Sequence, residues 1–421
     1  MEKISDKLFL VEGNCFNKET LEVFSLEPMY MEALKLLTSK DSIPNNLSVL
    51  CDEICSSGLL GGSGNDCSEK QKIFLPKFVA FRIVLGEVCN LSCSNCFVLE
   101  RQHQSKKMTK DNMVSIIENT FSYGKSINIK YQFFGGEPLL MFDLIEIAVK
   151  MIEDAVVKKL IQEPIIAITT NGMLINDSLA SFFRQHKIKV GISIDGPKEK
   201  NDVLRGNGVF DKACESFSVL QKNNVECWFL VTLYEQLLDI LPDFLRWLSG
   251  KFCFSTITFN TPFDGKTVKW MTDGYKFADT LLECCAIAKQ YGFSIEGAGS
   301  PVLYALSSKV KRTYPCSISG KDVMASIAPD GRISFCAQYW GDDLFKEKFV
   351  DGFNLMWQQE KPLICNICVA ENICGGPCFV NYEKTNEMDK EKCRFYKRFL
   401  EKLLENPYLY LTEHQIEKEN V

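Results

Sequence analysis

Histidine is nearly absent. The 421 residues hold three, His103, His186 and His414, too few to make a histidine-built metal centre or histidine acid–base chemistry a reasonable expectation. No catalytic acid or base stands out in its place. Long apolar runs are missing as well: nothing approaches the roughly 18 uncharged apolar residues that a membrane-spanning helix requires. The opening stretch MEKISDKLFLVEGNC has only LFLV before a glutamate, too short for the core of a signal peptide. Neither export nor membrane insertion is expected, and the chain reads as cytoplasmic. Positive charge is not in excess, with 48 Lys and Arg against 54 Asp and Glu, a net charge of −6 and a pI near 5.5. That balance gives no support to a nucleic-acid partner or a polybasic membrane-surface protein, both of which draw affinity from clustered cations. Long repeats are lacking, and GGSGNDCSEKQK is the one Gly, Ser and charge-rich tract.

What is present is ordinary globular composition, 46% hydrophobic and 24% charged, which excludes a largely disordered, collagen-like or simple coiled-coil chain. The length suggests roughly two or three domains. The 19 cysteines need a separate explanation, because a chain this long folds without covalent staples and a reducing compartment disfavours disulfides. Clustered thiols are then candidates for metal ligation or redox chemistry, and scattered ones for small buried hydrophobes.

Residues 1–60 read as one small unit: LFLVEGN as a strand, NKETLEVFSL as a returning strand, and PMYMEALKLL and NLSVLCDEICSSGLL as helices. Residues 61–77 form the linker candidate. From 78 to about 300 strands alternate with helices: FRIVL, INIKYQFF, PIIAITTNG, KVGISID, VECWFLVT and ITFNT, separated by helical patterns such as TKDNMVSIIENTFSY and FDKACESFSVLQKN. Six such strands predict an α/β partial barrel, a parallel sheet with crossover helices outside and ligands beyond the carboxyl ends of the strands. The segment 301–400 reads as loop-rich and dense in cysteine, requiring metal to fold, and 401–421 as a tail.

Directly after the first barrel strand stands CNLSCSNC, a CxxxCxxC arrangement of Cys89, Cys93 and Cys96. Three close thiolates can hold three irons of a four-iron cluster and leave the fourth open. A structural zinc is the alternative, but it normally takes four protein ligands and only His103 lies nearby as a fourth. Further along come FFGGEPLL, TTNG, SIDG and NDVLRGNG, mostly at the ends of successive strands. With this triad they resemble the radical SAM superfamily. The resemblance implies that Cys89, Cys93 and Cys96 hold a [4Fe-4S] cluster that binds S-adenosylmethionine. It also implies contacts to that molecule from Gly135, Gly136, Glu137 and Pro138, from Asn171, from Ser193 and Asp195, and from Arg205 on its carboxylate. Glycines suit an approach of backbone carbonyls to an ammonium, and a guanidinium suits a planar acid.

Seven later cysteines, Cys316, Cys336, Cys365, Cys368, Cys374, Cys378 and Cys393, resemble the SPASM extension of radical SAM enzymes that modify peptides and proteins. By that resemblance Cys365, Cys368, Cys374 and Cys393 hold one auxiliary [4Fe-4S] cluster and Cys316, Cys336 and Cys378 another. A pair of zinc sites is the alternative reading. No thiol follows shortly after Cys316, so the second auxiliary cluster has a place for a substrate thiolate, water, a backbone atom or Asp322. Sulfatase-maturing enzymes are similar but carry an aspartate where this chain has Ala337. The N-terminal unit weakly resembles the winged-helix element with which maturases of ribosomally made peptides grip a leader, by strand addition to a sheet edge. The implied function is a peptide maturase forming an oxidative cross-link, favoured as a thioether. Carbon–carbon cross-linking, epimerisation, protein modification and a non-catalytic iron–sulfur or zinc scaffold are the alternatives. The implied partners are a precursor peptide with a leader and a reducing donor such as flavodoxin or ferredoxin.

Overall fold

The computed structural model describes residues 1–39, 42–44, 46–57, 78–96, 98, 107–122, 128–263, 269–312, 322–334 and 362–407. The linker at 61–77, His103, His414, Cys316, Cys336 and Ala337 lie outside the described residues. Packing divides the chain into two units. One comprises Met1–Ile73, Thr272–Pro315 and Gln359–Val421, the other Phe74–Met271 and Cys316–Gln358. Among the described residues no helix is long and apolar enough to cross a membrane.

The first unit opens with an antiparallel sheet whose strands lie in sequence order: β1 (Glu2–Lys3), β2 (Leu8–Val11), β3 (Asn14–Asn17) and β4 (Glu22–Ser25). Helices α1 (Pro28–Ser39) and α2 (Ser48–Ser56) follow. Where LFLVEGN reads as one strand, the chain reverses inside it. Glu12 and Gly13 both take positive φ, 48° and 88°, and Val11 pairs with Asn14, a two-residue hairpin whose twist matches its strands. All of β2 is buried. Leu8, Leu10, Cys15 and Phe24 pack with Ala33 and Leu34 of α1 and Cys51 and Ile54 of α2. The alternation of a strand turns Phe9, Val11 and Phe16 to the opposite face.

The second unit alternates strand and helix: β5 (Phe78–Val84), α3 (Lys110–Thr120), β6 (Asn128–Phe134), α4 (Phe142–Val157), β7 (Ile165–Thr170), α5 (Asp177–Gln185) and β8 (Lys189–Ser193). It continues with α6 (Lys198–Arg205), α7 (Val209–Lys222), β9 (Cys227–Thr232), α8 (Leu241–Lys251) and β10 (Thr256–Asn260). Each strand from β5 to β10 pairs in parallel with the next, which the crossover helices make possible. The six expected strands are thus present as a curled α/β half-barrel. On its outer face Phe81 and Tyr131 stack at 5.9 Å, and the buried Tyr131 hydroxyl meets Thr120 of α3 at 2.6 Å. Arg82 and Gln132, of opposite parity, point into the barrel.

The chain then supplies α9 (Gly274–Tyr291), β11 (Ser294–Gly297) and α10 (Ser300–Ser308) to the first unit. It returns to the second as β12 (Asp322–Ile327) and β13 (Ile333–Ser334). There β12 lies parallel to β5, on the side away from β6, and β13 turns back antiparallel on β12. The first unit is completed by α11 (Leu363–Asn366), α12 (Glu371–Cys374), α13 (Phe379–Thr385) and α14 (Lys390–Glu405). Phe395, Phe399, Leu400, Leu403 and Leu404 make one fully buried stripe of α14. One side of that helix meets β2 and β3. Another meets α9, where Phe277 and Phe395 lie 4.9 Å apart and Arg398 forks onto both oxygens of Asp279 at 2.8 and 3.2 Å.

Candidate active site

At the top of the half-barrel the backbone after β5 is pressed against the backbone after β6. The amide of Gly136 donates to the Gly86 carbonyl and that of Glu137 to the Val88 carbonyl, both at 2.9 Å. A Cβ on Gly135, whose φ is +145°, would stand 2.4 Å from the Gly86 oxygen, and one on Gly136 would stand 2.3 Å from that of Val88. Only glycine allows this approach, and the approach fixes where the loop bearing Cys89 begins. Glu137 locks the next strand end: its carboxylate accepts from the amides of Leu139 and Asn171, at 3.0 and 2.8 Å, and from the Thr170 hydroxyl at 2.8 Å. Burial pushes this carboxyl up to about 6, against the pull of those three hydrogen bonds.

The cysteine loop is stitched to one further strand end and to α6. Asn171, after β7, donates through Nδ2 to Asn90 Oδ1 at 2.8 Å and to Cys89 Sγ at 3.7 Å. The Leu91 amide donates to Cys89 Sγ at 3.4 Å, and the Ser94 amide to the Leu204 carbonyl at 2.9 Å. Arg205, at the end of α6, is held by Asp195, after β8: Nε donates to Oδ2 at 2.7 Å while Oδ1 accepts from the Thr232 amide at 2.8 Å. Asn201 Oδ1 accepts in turn from the Asp195 amide at 2.8 Å.

These residues enclose a cavity of about 260 Å³, lined by Cys89, Cys93 and Cys96 together with Gly135, Gly136, Asn171, Ser193, Asp195 and Arg205. The sequence therefore placed three ligand candidates and six of eight contact candidates around one space. Glu137 and Pro138 are buried outside that lining. Residues that sequence reasoning passed over complete the wall. Arg82 Nε donates to Gln132 Oε1 at 3.2 Å, Gln132 Nε2 donates to Thr169 Oγ1 at 3.0 Å, and the guanidinium stands 5.0 Å from the centre of the Phe134 ring. Tyr234 also lines the cavity and donates its hydroxyl to the Asn95 carbonyl at 3.4 Å. Burial and then Asp195 raise that phenol far above its ordinary range. The signal for Arg82 and Gln132 was their inward parity on β5 and β6.

The donor set fits an iron–sulfur group better than a histidine-built metal site. Burial pushes the Cys89 and Cys93 thiols up, so a bound cationic centre would have to hold them as thiolates. Gly135 and Gly136 line the cavity beside them.

A second cavity, of about 30 Å³, lies in the other unit. Cys365, Cys368, Cys374 and Cys393 line it, with Glu371, Asp389, Lys392 and Tyr396. Burial, followed by the neighbouring thiols, takes Cys393 up to about 11. Burial also raises Cys368, opposed by the Ala370 amide and by Lys397. Cys378 precedes α13 as its N-cap residue and does not line this cavity. The Asp322 side chain is outside the described residues. Among the described residues no three His, Cys, Asp or Glu side chains are arranged around a single ion.

Residues 83–248, which hold most of the half-barrel and its cysteine loop, match the model of the radical SAM superfamily. The serine-type anaerobic sulfatase-maturating enzyme of Bacteroides thetaiotaomicron is 30% identical over 165 residues, covering 36% of this chain and 38% of the relative. For two of the first curated relatives the chain spans about half their length, 53% and 54%. Two solved structures share the fold. One is native anSMEcpe with bound AdoMet and Cp18Cys peptide, with a TM-score of 0.65 and 20% identity over 79% of this chain and 97% of that one. The other is Streptococcus suis SuiB bound to precursor peptide SuiA, with a TM-score of 0.56 and 16% identity over 92% of this chain and 98% of that one.

Proposed function

We propose that this chain is a radical SAM maturase that installs an oxidative cross-link, favoured as a thioether, in a ribosomally made precursor peptide. One observation carries the reading: Cys89, Cys93 and Cys96 share a cavity with Gly135, Gly136, Asn171, Ser193, Asp195 and Arg205, in a domain of that superfamily. When bound, S-adenosylmethionine and a four-iron cluster on the three cysteines would supply a 5′-deoxyadenosyl radical able to take a hydrogen atom from an unactivated carbon. Arg205, oriented by Asp195, presents its fork to the methionine carboxylate. Gly135 and Gly136 leave room for the ammonium, and Ser193 and Asn171 offer partners to ribose hydroxyls. Arg82, Gln132 and Thr169 offer donors and acceptors to a peptide amide. Closure of a thioether removes two hydrogens from the peptide, one from carbon and one from sulfur.

A peptide substrate is supported by the solved neighbours that carry peptides. In this reading the N-terminal sheet receives the leader at an edge strand. Cys365, Cys368, Cys374 and Cys393 hold one auxiliary cluster, and Cys316, Cys336 and Cys378 another. A reducing protein such as flavodoxin or ferredoxin supplies electrons.

Anaerobic co-expression with a short peptide encoded beside this chain, followed by accurate mass, tests the reading. The expected result is loss of two hydrogens per cross-link, abolished by Cys89→Ala, with fragmentation showing sulfur at the junction. An unchanged mass sinks cross-linking of that peptide. A protein that releases no 5′-deoxyadenosine from S-adenosylmethionine under reductant is a scaffold instead.

A further inference from the structure

Two lysines are buried beside the four cysteines of the second cavity. Lys392, 6% exposed, lines the cavity next to Cys393 and donates Nζ to the Gly376 carbonyl at 3.1 Å. Lys18, 4% exposed, arrives from the turn between β3 and β4. Its Nζ donates to the Asn366 carbonyl at 2.7 Å and to Glu371 Oε2 at 3.2 Å, while its own carbonyl accepts from Asn372 Nδ2 at 2.9 Å. Lys18 thus grips the cysteine segment on both sides, one residue after Cys365 and again on the helix that ends at Cys374.

Placing two ammonium groups out of water is costly unless something local needs their charge. The cavity wall supplies the need. With the cysteines ionised it would gather four thiolates and the carboxylates of Glu371 and Asp389, and each electron added to a bound centre makes that surplus larger. The potential of an iron–sulfur cluster follows the net charge around it, together with hydrogen bonds and exposure. A fixed cation nearby favours the reduced, more negative form.

We propose that Lys18 and Lys392 are built-in counter-charges that raise the reduction potential of a cluster held by Cys365, Cys368, Cys374 and Cys393, an inference that rests on the auxiliary-cluster reading above. Lys18 makes the N-terminal sheet part of that redox site.

The test uses the full chain, reconstituted anaerobically with iron and sulfide, in a Cys89→Ala, Cys93→Ala, Cys96→Ala background that removes the first cluster. Iron per chain and an EPR-monitored redox titration are compared for the parent, Lys18→Met, Lys392→Met and the charge-retaining Lys18→Arg. The expected result is unchanged iron and one signal shifted downward in each methionine variant. At a fixed potential the reduced-to-oxidised ratio should fall roughly tenfold, about 59 mV for a one-electron couple, while Lys18→Arg stays at the parent value. Unmoved potentials with full iron in Lys18→Met and Lys392→Met overturn the inference. Loss of iron in Lys18→Met with no shift in Lys392→Met also overturns it, making Lys18 a latch. If Lys18→Met does not fold, Lys392→Met alone decides. A parent that binds no iron in this background overturns the auxiliary-cluster reading itself.

Discussion

Glu137 sits where water does not reach, with three protein donors aimed at its carboxylate. Its carboxyl rises from 4.5 to about 6 in the folded chain. The native state therefore holds the proton more tightly than the unfolded one. The contribution of this group is greatest below about pH 4.5 and is lost as the pH climbs through about 6, a difference of about 2 kcal/mol. Glu137→Gln should abolish that slope in urea unfolding of the anaerobically reconstituted protein between pH 4.5 and 6.5. It should also lower stability by about 1–3 kcal/mol throughout, since one amide oxygen cannot serve three donors. A variant with the parent slope would show that another group titrates there. At this scale the sequence was most legible where backbone chemistry demanded a residue type, as at Gly135 and Gly136. It was least legible where single side chains meet from separate strands: nothing local marks Tyr234 as a neighbour of Asp195, or Thr169 as a partner of Gln132.

Between elements, the tightest approach is that of α9 and α14. A Cβ on Gly274 would stand 2.1 Å from the Glu391 carbonyl and 2.8 Å from the Phe395 amide, backbone atoms that cannot step aside. The Gly274 amide also donates to Glu391 Oε2 at 2.9 Å. Gly274→Val should force the helices apart, loosen the Phe277–Phe395 contact and cost about 1–3 kcal/mol, read as a lowered unfolding midpoint. An unchanged midpoint would mean that the two helix ends separate freely. The six barrel strands were legible because apolar runs of five to seven residues alternate with long helical patterns. β12 and α14 were not, because the density of cysteine around them reads as loop. Yet Phe395, Phe399, Leu400 and Leu403 carry helical spacing in plain view. The division of LFLVEGN was also available from Glu12–Gly13, a two-residue turn that the continuing apolar pattern concealed.

At the scale of the molecule, chain order hides which segments depend on one another. Residues 1–60 read as one small recognition unit, but in the first packing unit the described residues among them meet partners more than 340 residues away. Asn14 Nδ2 donates to the Leu404 carbonyl at 2.8 Å, the N-terminal ammonium pairs with Glu401 at 2.7 Å, and Lys18 joins Asn366 and Glu371. Phe9, Val11 and Phe16 are buried, each representing roughly 1.5–3 kcal/mol of burial. Deleting residues 1–57 should therefore do more than weaken peptide recognition. The side of α14 that packs on β2 and β3 would be left to solvent, and the segment carrying Cys365, Cys368 and Cys374 would lose the Lys18 tie. The expected outcome is a chain that elutes as aggregates in size-exclusion chromatography and takes up less iron on anaerobic reconstitution than the full chain does. On the proposed function, release of 5′-deoxyadenosine would fall with the loss of soluble protein rather than through the cavity lined by Cys89, Cys93 and Cys96, whose lining is drawn entirely from the second unit. A truncated chain that stays monomeric, keeps full iron and loses only peptide binding would show instead that the N-terminal sheet is an appended module and that its contacts with α14 contribute little.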